Sequence, residues 1–207
     1  MAKLYFRYGT VSSAKTMNLL AVAHNYRKQK KKILVMKPKI DTRYGKDVVQ
    51  SRSGLHTDAD MLLDDQTELD IQNYSGYHCI LVDEAQFLSA QTIEKLRSIS
   101  IEQNIPIICY GLRTDFKTRL FEGSRRLMEI ADSVEEIKTT CGFCNRKAVF
   151  NLKSIDGVYV QTGPQIQLGK DETYTPSCAG CYRHRLEEAQ LGISKEKPKE
   201  MPLAEAP

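Results

Sequence analysis

Apolar positions along the chain fall into short unbroken runs, separated by stretches of helical periodicity. Lys3–Tyr8 reads as an aromatic-rich strand, Ile33–Met36 as a second and Tyr77–Val82 as a third. Ile105–Tyr110 gives a fourth and Ser133–Ile137 a short last one. Apolar residues at consecutive rather than alternate positions predict strands covered on both faces, as in a parallel sheet. Pro38 stops the second strand, because proline has no donor and constrains the residue before it. Between the strands, Met17, Leu19, Leu20, Val22 and Ala23 crowd a helix, Ser89 is a good cap for a helix over Thr92–Ile101, and Phe116–Ile130 reads as another. Strands alternating with helices predict an α/β fold with a parallel sheet flanked by helices.

Two stretches break the alternation. Asp41–Gly76 has poor periodicity, with glycines, serines and clustered aspartates, and predicts long loops with short strands of the kind that usually serve a function. Beyond Lys138, alternating segments and glycine turns predict a small antiparallel ribbon. After Leu191 the sequence is rich in Lys, Glu and Pro with little to bury, which predicts a disordered tail. The expected organisation is a nucleotide-binding α/β domain over 1–137, a cysteine-bearing domain over 138–191 and a tail over 192–207.

With 41% hydrophobic and 27% charged residues, the composition is that of a soluble protein. The 30 Lys and Arg exceed the 26 Asp and Glu by only four charges, and the cations Arg27, Lys28, Lys30, Lys31 and Lys32 cluster together. These close a helix, where they favour its dipole, and read as a solvated helix end rather than a nucleic-acid patch. Near the cysteines, Lys138, Arg146, Lys147, Lys153, Arg183 and Arg185 are balanced by Glu135, Glu136, Asp156, Glu187 and Glu188. No nucleic-acid partner is expected. No run approaches the ~20 apolar residues of a membrane span, and Met1–Phe6 is too short and polar for a signal peptide, so the expectation is a cytoplasmic protein with no membrane partner.

The first strand runs into Gly9-Thr10-Val11-Ser12-Ser13-Ala14-Lys15-Thr16 and then a helix, the context of a phosphate-binding loop. Backbone N–H groups and the helix N-terminus would surround a polyphosphate, with Lys15 near the transferring phosphate and the Thr16 hydroxyl on Mg²⁺. Ala14 stands where glycine is usual; it denies easy access to positive φ and brings a methyl group toward the phosphates. The third strand delivers Asp83 to the sheet edge where ligands bind in open α/β folds, in the place of a magnesium partner. Glu84 follows and is placed to accept a proton from an attacking hydroxyl. These pieces do not separate a kinase from an ATPase, a GTPase or a motor.

Cys141-x-x-Cys144 and Cys178-x-x-Cys181 have the spacing of a tetrahedral Cys₄ zinc site that leaves no open position and is therefore structural. An iron–sulfur centre and disulfides are the other uses of such pairs.

Several motifs in the right order make the chain resemble the thymidine kinase family of the type II, zinc-containing class, from about Leu4 to Leu191. They are the phosphate loop, the segment Lys37-Pro38-Lys39-Ile40-Asp41-Thr42-Arg43-Tyr44, the box Asp83–Phe87, the stretch Tyr110–Phe116, and Tyr174 ahead of Cys178. The resemblance implies a P-loop NTPase-like sheet with a zinc ribbon, and an ATP-Mg²⁺-dependent kinase acting on the 5′-hydroxyl of thymidine or deoxyuridine. It makes Glu84 the general base, sets Lys15 and Arg43 near the phosphates, and adds Gln86 to the nucleotide-binding set. Val11, Phe87, Leu112, Phe116 and Tyr174 would surround the base. A lasso including Gln165, Ile166, Gln167, Leu168 and Gly169 would close over the nucleoside through main-chain groups. The resemblance further implies a cytoplasmic homotetramer inhibited by thymidine triphosphate. Val11, Ala14 and Lys170 depart from the residues commonest in the family.

Overall fold

The computed structural model describes residues 1–166 and 172–192. The chain begins with β1 (Leu4–Tyr8), α1 (Lys15–Lys28) and β2 (Ile33–Pro38). Three short strands follow, β3 (Val48–Gln50), β4 (His56–Asp58) and β5 (Met61–Leu63). Next come β6 (Cys79–Val82), α2 (Ala90–Glu102), β7 (Ile107–Gly111), α3 (Glu122–Ile130) and β8 (Ser133–Glu136). The chain continues as β9 (Phe150–Ile155), β10 (Val158–Val160), β11 (Glu172–Ser177) and α4 (Ala179–Gln190). The main sheet has the order β5-β2-β6-β7-β1-β8, and every pairing in it is parallel.

The unbroken apolar strands have the cause expected of them. Successive side chains point to opposite faces. Cys79 and Leu81 of β6 therefore meet Leu19 and Ala23 of α1 on one face, with Val35 and Ile108. Ile80 and Val82 meet Ile93, Leu96 and Ile99 of α2 and Leu127 of α3 on the other. Each Leu, Ile and Val side chain among them, taken wholly out of water, contributes about 1.5–3 kcal/mol. Met17 lies on the outer side of α1 and is exposed, so the apolar stripe that packs is narrower than the sequence pattern.

The helix expected over Phe116–Ile130 begins only at Glu122. Asp115 is the reason: one carboxylate oxygen accepts the N–H groups of Lys117 and Arg119, and Thr118 takes a positive φ of 65°, which holds 115–120 as a turn. Such local side-chain bonds compete with helix formation.

The cysteine-bearing region is more than a ribbon. Strands β10-β9-β11 form an antiparallel sheet, on which Tyr182 and Leu186 of α4 pack against Leu152 and Tyr159. Among the bonds that hold this unit to the main domain, Tyr182 Oη donates to the Phe116 carbonyl at 2.5 Å, and the Asn151 side chain reaches Thr114 and Val11.

Candidate active site

Parallel strands end at one edge, so the loops after β1, β6 and β7 converge there. Tyr8 is level with Gly111 in the register, and the Gly9 N–H donates to the Gly111 carbonyl at 3.2 Å. Gly9 has no room for a side chain: a methyl group on it would lie 2.3 Å from Ser13 Oγ and 2.5 Å from the Ile137 carbonyl. Thr10–Ala14 then turn into α1, with Ser12 and Ala14 at φ values of 59° and 63°. Ala14 thus occupies the left-handed conformation that glycine takes most easily. Lys15 is buried and its Nζ donates to the Thr10 carbonyl at 2.7 Å. Burial lowers its pKa to about 8 against the opposing pull of Glu84 and Asp83. Thr16 Oγ1 lies 3.1 Å from Asp83 Oδ2, so the loop and the strand-end acid meet.

Glu84 is buried and has a φ of 49°. Its Oε1 accepts Arg43 Nη2 at 2.5 Å, and its Oε2 accepts the Gln86 amide. Gln86 Oε1 in turn accepts the Leu112 N–H at 3.0 Å, which ties Glu84 to the loop after β7. Arg43 Nε donates to Asp41 at 2.7 Å, and the buried Lys37 amine lies 3.3 Å from the other Asp41 oxygen. Lys37, Asp41, Arg43 and Glu84 are therefore one chain of alternating charge, buried except at Arg43. Burial pushes the Glu84 carboxyl up, but Arg43 and Lys15 outweigh it and hold it below the ordinary glutamate value. Asp83 goes the other way: burial and the Glu84 charge raise it to about 7.

Two cavities share this centre. The smaller, about 380 Å³, is lined by Val11–Met17 with Arg43, Tyr44, Glu84, Leu112 and the hairpin residues Gln50–Ser53. The larger, about 570 Å³, holds Phe87, Phe116, Phe121 and Tyr174 with Leu112, Gln86, Asp115, Gln165 and Ile166. Val11, Arg43, Arg52, Glu84 and Leu112 border both. A mostly apolar pocket with a few convergent polar groups suits a planar base, and the loop-lined one suits phosphates. Gln86 lines the larger cavity and not the smaller, and it buttresses Glu84. Gln165 Nε2 donates to Asp115 at 3.0 Å. Gln167, Leu168, Gly169 and Lys170 lie outside the described residues.

The four cysteines come together, their sulfurs all within 4.8 Å of one another. Cys178 caps α4, its sulfur accepting the Cys181 N–H at 3.4 Å, and Cys141 accepts the Phe143 N–H at 3.5 Å. Burial raises Cys141, but its N–H donors outweigh that and bring it to about 7. Burial and the other sulfurs push Cys181 up to about 12. Four thiolates at this spacing repel one another unless a cation offsets them, and an all-sulfur set with no other donor fits zinc.

Arg52 and Asn151 carried no signal of the motif kind. Asn151 did interrupt an apolar run at Val149-Phe150-Asn151-Leu152, where a buried polar residue needs partners; Arg52 had no such mark.

A family model described as thymidine kinase matches residues 2–182. The thymidine kinase of Enterococcus faecalis is 44% identical over 186 residues, covering 89% of this chain and 96% of the relative. That of Lactococcus lactis is 42% identical over 184 residues, covering 88% and 97%. Among solved structures, the Pif1 helicase of Candida albicans is similar at a TM-score of 0.39 and 12% identity over 66% of this chain and 36% of that one, too slight a likeness to carry an argument.

Proposed function

The chain belongs to the thymidine kinase family, and from that membership and the site geometry we propose how its residues divide the work. It is an ATP-dependent kinase that transfers phosphate to thymidine. In our reading the smaller cavity takes the triphosphate and the larger one the nucleoside, with the 5′-hydroxyl directed at Glu84. The bond from O5′ to the γ-phosphorus forms as the bond to the β–γ bridging oxygen breaks. The hydroxyl proton passes to Glu84, and the bridging oxygen leaves on ADP. Glu84 has both oxygens engaged by Arg43 and Gln86, yet a carboxylate accepts about four hydrogen bonds, so it retains capacity for the hydroxyl. Lys15 and Arg43 supply positive charge beside the transferring group, and the loop's N–H groups hold the phosphates. Mg²⁺ held by Thr16 and Asp83 would neutralise charge on the phosphates.

The base would lie among Val11, Phe87, Leu112, Phe116 and Tyr174, with Gln165 and Ile166 at the start of the closing lasso. Deoxyuridine differs from thymidine by one methyl group and fits the same pocket; a purine would clash with its walls. The zinc is structural, because four thiolates leave no position for a reactive water. The reading extends to the unit over 138–191 as a separate zinc domain, to a cytoplasmic homotetramer, and to inhibition by thymidine triphosphate, whose base and phosphates would span both cavities. No helix among the described residues is long and apolar enough to cross a membrane.

The observation that carries this reading is the placement of Glu84 on the border of both cavities. The test is ADP release with ATP-Mg²⁺ and thymidine, deoxyuridine, deoxycytidine, deoxyguanosine or no nucleoside. Turnover that depends on thymidine and deoxyuridine is expected, with a fall of about 10²–10⁴-fold in kcat for Glu84→Ala and retained ATP binding. An equally active Glu84→Ala enzyme refutes the base assignment.

A further inference from the structure

Three charged residues border both cavities: Arg43, Glu84 and Arg52. The first two neutralise each other, since Arg43 is bound to Glu84 and to Asp41. Arg52 is different. It stands at the turn between β3 and β4, is exposed, and makes one side-chain hydrogen bond, from Nη1 to Ser12 Oγ in the phosphate loop at 2.7 Å. Among the described residues no carboxylate lies within ion-pair distance of it. A guanidinium carries five donors, so most of its fork remains available to an anion.

The turn that presents it is built, not loose. The Ser51 N–H donates to the Leu55 carbonyl at 2.8 Å, and the Gly54 N–H to the Ser51 carbonyl at 3.0 Å. The hairpin is anchored at two further points. The buried Lys37 amine donates to the Val48 carbonyl at 2.9 Å, and Arg27 of α1 donates to the Thr57 hydroxyl at 2.9 Å. The Arg52 charge is felt at Lys15, where it opposes protonation of the amine. Two cations directed at one cavity, one of them lacking a counter-charge, constitute an electrostatic cost that a polyphosphate removes.

We propose that Arg52 is a catalytic residue that binds the γ-phosphoryl group as it crosses from the triphosphate cavity to the nucleoside cavity. Its position on the shared border places it beside the group in transit rather than beside the α- or β-phosphate, which the loop's N–H groups hold. Its bond to Ser12 keeps the guanidinium on the loop, and the incoming phosphate takes the donors that Ser12 does not use. This assignment rests on the kinase reading above.

The test compares wild type, Arg52→Ala and Arg52→Lys as full-length protein. Calorimetric binding of ADP and of the β,γ-imido analogue of ATP is measured alongside thymidine-dependent ADP release. Arg52→Ala is expected to bind ADP within about twofold of wild type, to bind the imido analogue about tenfold more weakly, and to lose about 10²–10³-fold in kcat with the thymidine KM little changed. Arg52→Lys, which keeps the charge without the planar fork, should fall between the two. Equal weakening of ADP and analogue overturns the proposal, because it means that Arg52 only supports the loop; so does no change in either. If wild type releases no ADP with any nucleoside, the kinase reading fails, while the ratio of the two affinities still decides whether Arg52 contacts the terminal phosphate.

Discussion

Replacing Asn151 with leucine should damage the phosphate loop from the zinc-bearing unit. Asn151 belongs to β9 of the zinc-bearing unit, yet its amide is spent on the main domain. Oδ1 accepts the Val11 N–H at 2.8 Å, and Nδ2 donates to the Thr114 carbonyl at 3.0 Å. The residue is only 3% exposed, so water has little access to replace it. Leucine is close in size but leaves one donor and one acceptor stranded, at about 1–3 kcal/mol each. A combined loss of about 3 kcal/mol, in the lower half of the resulting range of about 2–6 kcal/mol, is a large share of the roughly 5–15 kcal/mol that holds a domain folded. At about 2–4 °C per kcal/mol for a chain of this length, the melting temperature should fall by roughly 6–12 °C.

Stability alone would not distinguish a tie from any other buried polar residue, so the assay adds kinetics. Val11 borders both cavities. If about half of the lost energy appears as disorder of the loop, the ATP KM should rise about tenfold, since 1.4 kcal/mol is a factor of ten. Asn151→Asp keeps the acceptor for Val11 but sets a carboxylate against the Thr114 carbonyl; it should raise the ATP KM less than leucine does. Melting within about 1 °C of wild type together with an unchanged ATP KM for Asn151→Leu would refute the coupling.

Ala14→Gly should relieve the strain of a φ of 63°, by roughly 0.5–1 kcal/mol after the entropy of glycine is counted, with turnover altered less than about threefold. A lower melting temperature would contradict it. Cys178→Ser should lose zinc, read by a chromophoric chelator, and expose the 138–191 unit to proteolysis; full zinc content would sink the structural reading. Asp132 is held below the ordinary carboxylate range by its bonds from Arg97 and from the Leu4 N–H. A depressed acid stabilises the fold above its unfolded pKa near 4 and loses that contribution as pH falls through the lower folded value. Asp132→Asn should therefore be less stable by up to about 1 kcal/mol at pH 7, given the part-exposed pair, and indistinguishable near pH 2. Melting curves across that range check both ends.

The sheet was legible because residues at consecutive positions serve opposite faces, and a strand buried on both leaves no alternation to misread. The phosphate loop and the acids after β6 were legible for a related reason: a parallel strand must deliver the residues that follow it to the same edge. What escaped depended on contacts distant in sequence or on short-range polar bonds. The Asp115 carboxylate cancelled six residues of an expected helix, though the apolar pattern favoured it. Helix α4 has only Tyr182 and Leu186 buried in the small core and draws its start from the Cys178 cap, so periodicity gave it no voice. Lys37 sits in an apolar strand beside a proline, where its charge reads as an end of burial. It is instead 1% exposed and organises Asp41 and the hairpin.

An arginine-paired glutamate looks a poor choice for a base, since Arg43 and Lys15 make it less basic than glutamate in water. The chemistry makes that tolerable. Phosphoryl transfer passes through a loose transition state, in which the attacking oxygen has gained little bonding and its hydroxyl is still weakly acidic. Early proton removal would add little, and a strong base is not required. What the reaction needs is an acceptor that is ionised at neutral pH, fixed in direction, and ready as the O5′–phosphorus bond matures and the hydroxyl becomes strongly acidic. As the proposed base, Glu84 would meet those terms: Arg43 and Gln86 engage both of its oxygens, and its burial would keep water from competing for the phosphoryl group. The adjacent Asp83 is shifted oppositely, to about 7, by burial and by Glu84 itself. In the proposed mechanism these two neighbouring acids take different tasks. The one that is costly to ionise gains most from a cation beside it, and the one already ionised is free to take the proton.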